Sequence, residues 1–169
     1  NQTPEKYGAS LEKVLGLTPP PEHISAYSLI IEEGTPFFKA YEEDRLLLPT
    51  EEEEREMYYL TKQVLEKHGY ERYEISNYAK PGKECRHNVG YWQRKNYVGF
   101  GIGAASLVEN DRFANGSDLA AYISNPCDVM EDRESLTMAD RMAETMFLGL
   151  RMAEGVSEAL WLEEYQKSL

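Results

Sequence analysis

The sequence predicts an α/β fold, and three observations carry that prediction. Helical segments with capped starts and marked stops alternate with short runs of strand length. One of those runs, residues 23–31, is apolar enough for a strand covered on both faces, as in a parallel sheet flanked by helices. The composition permits a core: of 169 residues, 41% are hydrophobic and 28% charged, which excludes a disordered tail.

Taken in order, Thr3 caps a first helix with Pro4 at its first position. Tyr7, Leu11, Val14 and Leu15 form its apolar face, and Gly16 with Pro19, Pro20 and Pro21 ends it. A helix leading into the buried strand at 23–31 lacks a strand before it, so a truncated α/β unit is expected. After Gly34 a short helical turn covers 37–41. Thr50 then caps a long helix, and Glu53 completes a capping box. Met57, Leu60, Thr61, Val64 and Leu65 form its buried stripe, and Gly69 stops it. The glutamates at 51–54 read as a metal or substrate cluster, or as charges that favour the positive end of the helix dipole; the second account needs no function.

Residues 70–76 alternate as a second strand, and 77–82 read as a loop ending in Pro81-Gly82. A third strand is expected over 96–107, with 111–115 pairing beside it. Ser117 caps a short helix carrying Leu119, Tyr122 and Ile123; Asn125-Pro126 breaks the chain, and the acidic stretch 128–134 reads as a linker. Thr137 starts a helix with Met142, Met146, Phe147 and Leu150 on one face, stopped by Gly155. Ser157 caps a last helix with Leu160, Trp161 and Tyr165. The tail is therefore expected to be a small helical module.

Charge excludes several classes. The net charge of −12 argues against a nucleic-acid-binding surface and against attraction to anionic lipid. No apolar run reaches 18 residues, so membrane association is not indicated. Asn1-Gln2-Thr3-Pro4 shows no signal-peptide start, and two cysteines make no disulfide framework, so a cytoplasmic protein is expected.

Two segments could carry chemistry. Glu84-Cys85-Arg86-His87-Asn88-Val89-Gly90-Tyr91-Trp92 gathers a thiol, an imidazole and two large aromatics. An imidazole can ligate iron or zinc and aromatic faces can stack on a flat macrocycle; the same residues also read as a loop in which Tyr91 and Trp92 pack. Cys85 and His87 supply only two ligands, too few for a structural zinc. In Gly99-Phe100-Gly101-Ile102-Gly103-Ala104-Ala105-Ser106, alternate glycines inside a strand clear one face for a ligand, or else mark a bulge beneath a helix. No Gly-x-Ser-x-Gly elbow, Walker loop or His-Glu-x-x-His is present.

Several motifs occur together: His23-Ile24-Ser25-Ala26-Tyr27-Ser28-Leu29, Gly34-Thr35-Pro36, Tyr73-Glu74-Ile75-Ser76-Asn77-Tyr78-Ala79, Cys85-Arg86-His87-Asn88 with Tyr91-Trp92, the glycine run, and Phe147-Leu148-Gly149-Leu150-Arg151. In this order they resemble the oxygen-independent coproporphyrinogen III oxidase-like radical SAM proteins, and within them the HemW-type haem chaperone branch. The resemblance implies the C-terminal part of an incomplete TIM-type radical SAM barrel over residues 1–127, followed by the start of a small helical C-terminal domain over 128–169. It implies a [4Fe–4S] cluster and S-adenosylmethionine in the complete protein, but no iron–sulfur ligands here, since the Cys-x-x-x-Cys-x-x-Cys motif is missing. Haem ligation is carried onto His87, with Tyr91 and Trp92 as neighbours. Ser28 and Ala105 fall where relatives line the S-adenosylmethionine region at strand ends, and Gly101 and Gly103 are grouped with them as cofactor-binding positions. The implied partners are haem or a porphyrin and a haem-acceptor protein. Many relatives have histidine where this chain has Ala105, which removes one ligand or proton donor.

Two other functions remain open on sequence. One is a true coproporphyrinogen dehydrogenase, which His87-Asn88-x-x-Tyr91-Trp92 disfavours. The other is an interaction module built on Met138, Met142, Met146 and Met152, whose helical spacing equally describes a core.

Overall fold

Local signals place the helices. A computed structural model describes residues 2–128 and 130–169. Asn1, in the expected start, and Val129, in the expected linker, lie outside the described residues. The chain divides into two units, Asn1–Cys85 and Arg86–Leu169.

In the N-terminal unit the Thr3 hydroxyl accepts from the Lys6 N–H and opens α1 (Pro4–Leu15). Thr35 does the same for the short α2 (Pro36–Glu42). Thr50 and Glu53 form the expected capping box of α3 (Glu51–Lys67). Gly69, at φ +75°, turns the chain away from it. Helices α1 and α3 pack together. A Cβ at Gly8 would stand 3.2 Å from Leu60 Cδ2, so glycine sets how closely they approach there. The Thr61 hydroxyl donates to the Met57 carbonyl at 2.7 Å, so the Tyr7 hydroxyl, 2.7 Å away, donates to Thr61. The core of this unit is Leu65, Tyr70 and Tyr78, with Leu15, Ile24 and Ala26 against it.

The strands depart from expectation. The run at 23–31 is not a long strand in a parallel sheet. Only β1 (His23–Ser25) pairs, antiparallel to β3 (Asn77–Ala79), with His23 opposite Ala79. Beyond it Leu29 and Ile30 are 60% and 73% exposed. Apolar composition states a demand for burial, but a ladder needs a partner, and β3 offers one for three residues only. The expected strand at 70–76 shrinks to β2 (Glu71–Arg72), while Asn77–Ala79, read as loop, is the central strand of the order β1-β3-β2. The turn between β2 and β3 is built by Glu74, whose Oε1 accepts from the Ser76 N–H and the Asn77 amide. Asn77 is fully buried because its side chain ties three segments: its Oδ1 accepts from the Ser25 hydroxyl at 2.6 Å and its amide also donates to the Tyr27 hydroxyl.

The C-terminal unit is built on a second antiparallel sheet, β4 (Ala105–Val108), β5 (Asp111–Asn115) and β6 (Met130–Ser135), in meander order. The acidic stretch expected as a linker is therefore largely the edge strand β6. Its six residues are all exposed, so the ladder to β5 and the Arg133–Asp111 ion pair hold it rather than apolar burial. The strand expected over 96–107 is only β4, preceded by a bridge between Tyr97 and Leu107. Asp118, not Ser117, caps α5 (Leu119–Ser124), accepting from Ala120 and Ala121 N–H; either side chain suits an N-cap, and the backbone turn selects the second.

Thr137 opens α6 (Met138–Gly149) through a capping box with Asp140. Its most buried residue is Glu144, whereas Phe147 and Leu150, expected on the packed face, are exposed. Ser157 caps α7 (Glu158–Tyr165), which buries Trp161 and Tyr165. The Tyr165 hydroxyl, within 2.6 Å of the Thr145 hydroxyl and donating to the Arg141 carbonyl, fastens α7 to α6.

Candidate functional site

The Cys85–Trp92 segment is helical rather than a loop. It forms α4 (Arg86–Trp92), which puts His87 and Tyr91 four residues apart on one face. Their rings meet edge to face, with centroids 4.6 Å apart and planes at 78°. His87 is exposed, and neither ring nitrogen makes a hydrogen bond among the described residues. Trp92 lies further round the helix, half-buried, with the Arg151 guanidinium 4.5 Å above its ring. That placement makes Trp92 a packing residue of the C-terminal unit more than a neighbour of His87. Its indole N–H is buried without a partner among the described residues.

Helix α4 ends by a device the sequence reading missed. The Arg94 N–H donates to Tyr91 and the Lys95 N–H to Gly90, the paired closure of a Schellman motif, with Arg94 at φ +54° where glycine is usual. The side chain explains the residue. Arg94 Nε donates to Glu144 at 2.9 Å, both side chains under 10% exposed, and Arg94 also reaches Asn110. Arg112 donates to the other Glu144 oxygen. Burial pulls the Arg112 pKa down, but the bond to Glu144 and its charge outweigh that and raise it. This clamp fixes the end of α4 to α6 and the sheet. An ion pair separated by 50 residues leaves no local signal in the sequence.

The glycine run is not inside a strand. Residues 98–104 form an irregular loop, with Gly101 at φ +104° and Gly103 at φ +66°, conformations that favour glycine. A Cβ on Gly99 would stand 2.3 Å from the Ala105 carbonyl oxygen, so close backbone approach requires that glycine. The buried Asn115 amide donates to the Gly99 and Gly101 carbonyls, and its backbone carbonyl accepts from Gly103. The Tyr122 hydroxyl accepts from the Gly101 N–H at 2.8 Å, and the Ser106 hydroxyl accepts from Gly99. The loop thereby presents Phe100, 86% exposed. Ala105 opens β4 directly after it, with its side chain exposed.

Ser28 belongs to the N-terminal unit. It lines a cleft of about 370 Å³ together with Tyr7, Tyr27, Phe37, Met57 and Tyr78. The Tyr78 hydroxyl is buried there without a partner among the described residues, and burial pushes its pKa up to about 12.

A haem iron needs an accessible imidazole nitrogen, and His87 offers one beside aromatic rings, so the donor set fits. A [4Fe–4S] cluster takes cysteine thiolates and does not fit: Cys85 and Cys127 are the chain's two cysteines, and no group of three or more His, Cys, Asp or Glu is placed to hold a metal among the described residues. No helix among those residues is long and apolar enough to cross a membrane.

No family model matches the chain. It is 40% identical over 151 residues to the protein named Heme chaperone HemW of Bacillus subtilis, covering 88% of this chain and 40% of the relative. It is 36% identical over 156 residues to the one of Lactococcus lactis, covering 92% and 41%. Among solved structures it matches coproporphyrinogen III oxidase (HemN) from Escherichia coli, a radical SAM enzyme, with a TM-score of 0.73 at 16% identity, over 98% of this chain and 41% of that one. The chain thus spans about two-fifths the length of the relatives it matches, and its mixed α/β arrangement is that of the corresponding part of the radical SAM fold. With its motif series in order and relatives at this identity, the chain belongs to the HemW-type branch of the oxygen-independent coproporphyrinogen III oxidase-like radical SAM family.

Proposed function

We propose that the chain carries part of a haem-binding surface, with His87 as the iron ligand, in a protein that binds haem and delivers it to an acceptor protein. The observation that carries this reading is the exposed His87 imidazole, both nitrogens unengaged among the described residues, standing on a helix whose far end is clamped by a buried ion cluster. The relatives' printed name supports it. Haem, when bound, supplies the iron and the flat porphyrin face that are handed on; this chain's residues hold and orient them. His87 offers the ligand nitrogen, the Tyr91 ring meets that imidazole edge to face, and the backing of Trp92 by Arg151 keeps α4 in place.

In the same reading the [4Fe–4S] cluster and S-adenosylmethionine belong to the complete protein, the cluster on residues outside this chain. Ser28 in the first unit and Ala105 in the second are the positions read as bearing on S-adenosylmethionine, Gly101 and Gly103 are further cofactor-binding positions, residues 1–127 are barrel and 128–169 open the helical domain. The compartment is the cytoplasm.

The test is a hemin titration of the chain beside its His87→Ala variant, with far-UV circular dichroism as a check on folding. A saturable Soret shift with micromolar affinity, about −8 kcal/mol, is expected in the parent and lost in the variant. Equal weak binding by both would remove His87 as the ligand.

A further inference from the structure

A solvent-exposed histidine ordinarily samples several staggered χ1 wells and a broad χ2. His87 is exposed, yet its ring is one end of a stack that begins on the sheet. Tyr97 is joined to β4 by reciprocal backbone hydrogen bonds with Leu107, 2.8 and 3.0 Å long, and Leu107 is buried. The Tyr97 ring meets Tyr91 at 4.6 Å between centroids and 81° between planes; Tyr91 meets His87 at the same separation and 78°. Both contacts are edge to face, the arrangement that aromatic quadrupoles favour. The middle ring is therefore held on one side by a residue whose own backbone cannot shift without opening the sheet.

From this stack we infer that Tyr97 is a positioning residue for His87, acting through Tyr91 to hold the imidazole in one orientation. The inference rests on the reading of His87 as an iron ligand for its purpose, but the orientation itself is measurable without haem. Tyr97 needs its ring and not its hydroxyl for this role, which separates it from a polar or proton-transfer function.

The experiment compares Tyr97→Phe with Tyr97→Leu in the full chain, and adds Tyr97→Ile should the leucine variant fail to fold. The first readout is the nuclear magnetic resonance shift of the His87 ring protons in the haem-free protein, with His23 and His68 as internal controls. Tyr97→Phe is expected to leave the His87 signals in place. Removing the ring is expected to move them toward free histidine while the two controls stay fixed. The second readout is hemin affinity, expected to be unchanged in Tyr97→Phe and to weaken by roughly 3- to 10-fold in the ring-less variant. Unmoved His87 signals in a folded ring-less variant would overturn the inference. If His87→Ala binds hemin as the parent does, the iron-ligand reading falls, and the ring-proton shifts alone decide the positioning role.

Discussion

In the N-terminal unit the apolar cluster of Leu65, Tyr70 and Tyr78 gathers where α3 turns into the sheet, and Glu74 and Asn77 are as deeply buried. In the C-terminal unit a carboxylate, Glu144, is buried between Arg94 and Arg112, and Leu107, Leu136 and Trp161 are the buried large apolar residues besides Tyr165 among the described residues. The first unit joins apolar packing, which has no preferred direction, to the short-range hydrogen bonds of Glu74 and Asn77. The second depends on a directional cluster, in which every donor must find its acceptor or leave a charge stranded. This difference bears on function, because the His87 helix belongs to the second unit. The candidate ligand thus sits on the unit in which a buried ion pair joins distant segments.

The largest effect expected is from Leu65→Ala, about 4 kcal/mol for a fully buried leucine. Both tryptophans, Trp92 and Trp161, lie in the C-terminal unit. Urea unfolding followed by circular dichroism should therefore move to lower denaturant while the tryptophan fluorescence transition stays. A common shift of both probes would mean that the units unfold together, and the contrast would lose its thermodynamic meaning.

Next comes Glu144→Ala, which strands two guanidinium groups and is expected to cost about 3 kcal/mol, read by tryptophan fluorescence. Glu144→Gln should cost less because it keeps an oxygen in place. A loss in Glu144→Ala as small as that of a surface substitution would show that the cluster does not order this unit.

The smallest effect sharpens the comparison by pH. The Thr137 hydroxyl, and then its backbone N–H, hold the Asp140 carboxyl below the ordinary carboxylate range. A lowered folded pKa stabilises fully above the unfolded value of about 4 and is lost as pH falls through the folded one. Thr137→Ala should destabilise by about 1 kcal/mol near neutrality and flatten the acid-side decline in thermal midpoint of the C-terminal unit. An unchanged acid limb would remove Asp140 as its source.

The sequence made short-range features legible and long-range ones not. Thr3, Thr50, Thr137 and Ser157 cap helices as read, because a cap and the backbone N–H it accepts from lie within three residues. Asn77–Ala79 was hidden because its neighbours in space, 23–25 and 71–72, supply the pairing. Glu144 gave no signal, because its partners Arg94 and Arg112 lie 50 and 32 residues away in the chain. For the candidate site the residue types were legible at His87 and Tyr91, but a loop reading of that segment concealed their shared helical face. Tyr97 carried no signal at all, since its role depends on the bridge to Leu107.

Glycine runs usually serve as supple linkers, but the one at 99–103 has the opposite character. Gly99, Gly101 and Gly103 each commit their N–H to a named acceptor, while Phe100 between them faces solvent. A partner meeting that aromatic face would find a preorganised surface, with no loop left to order on contact.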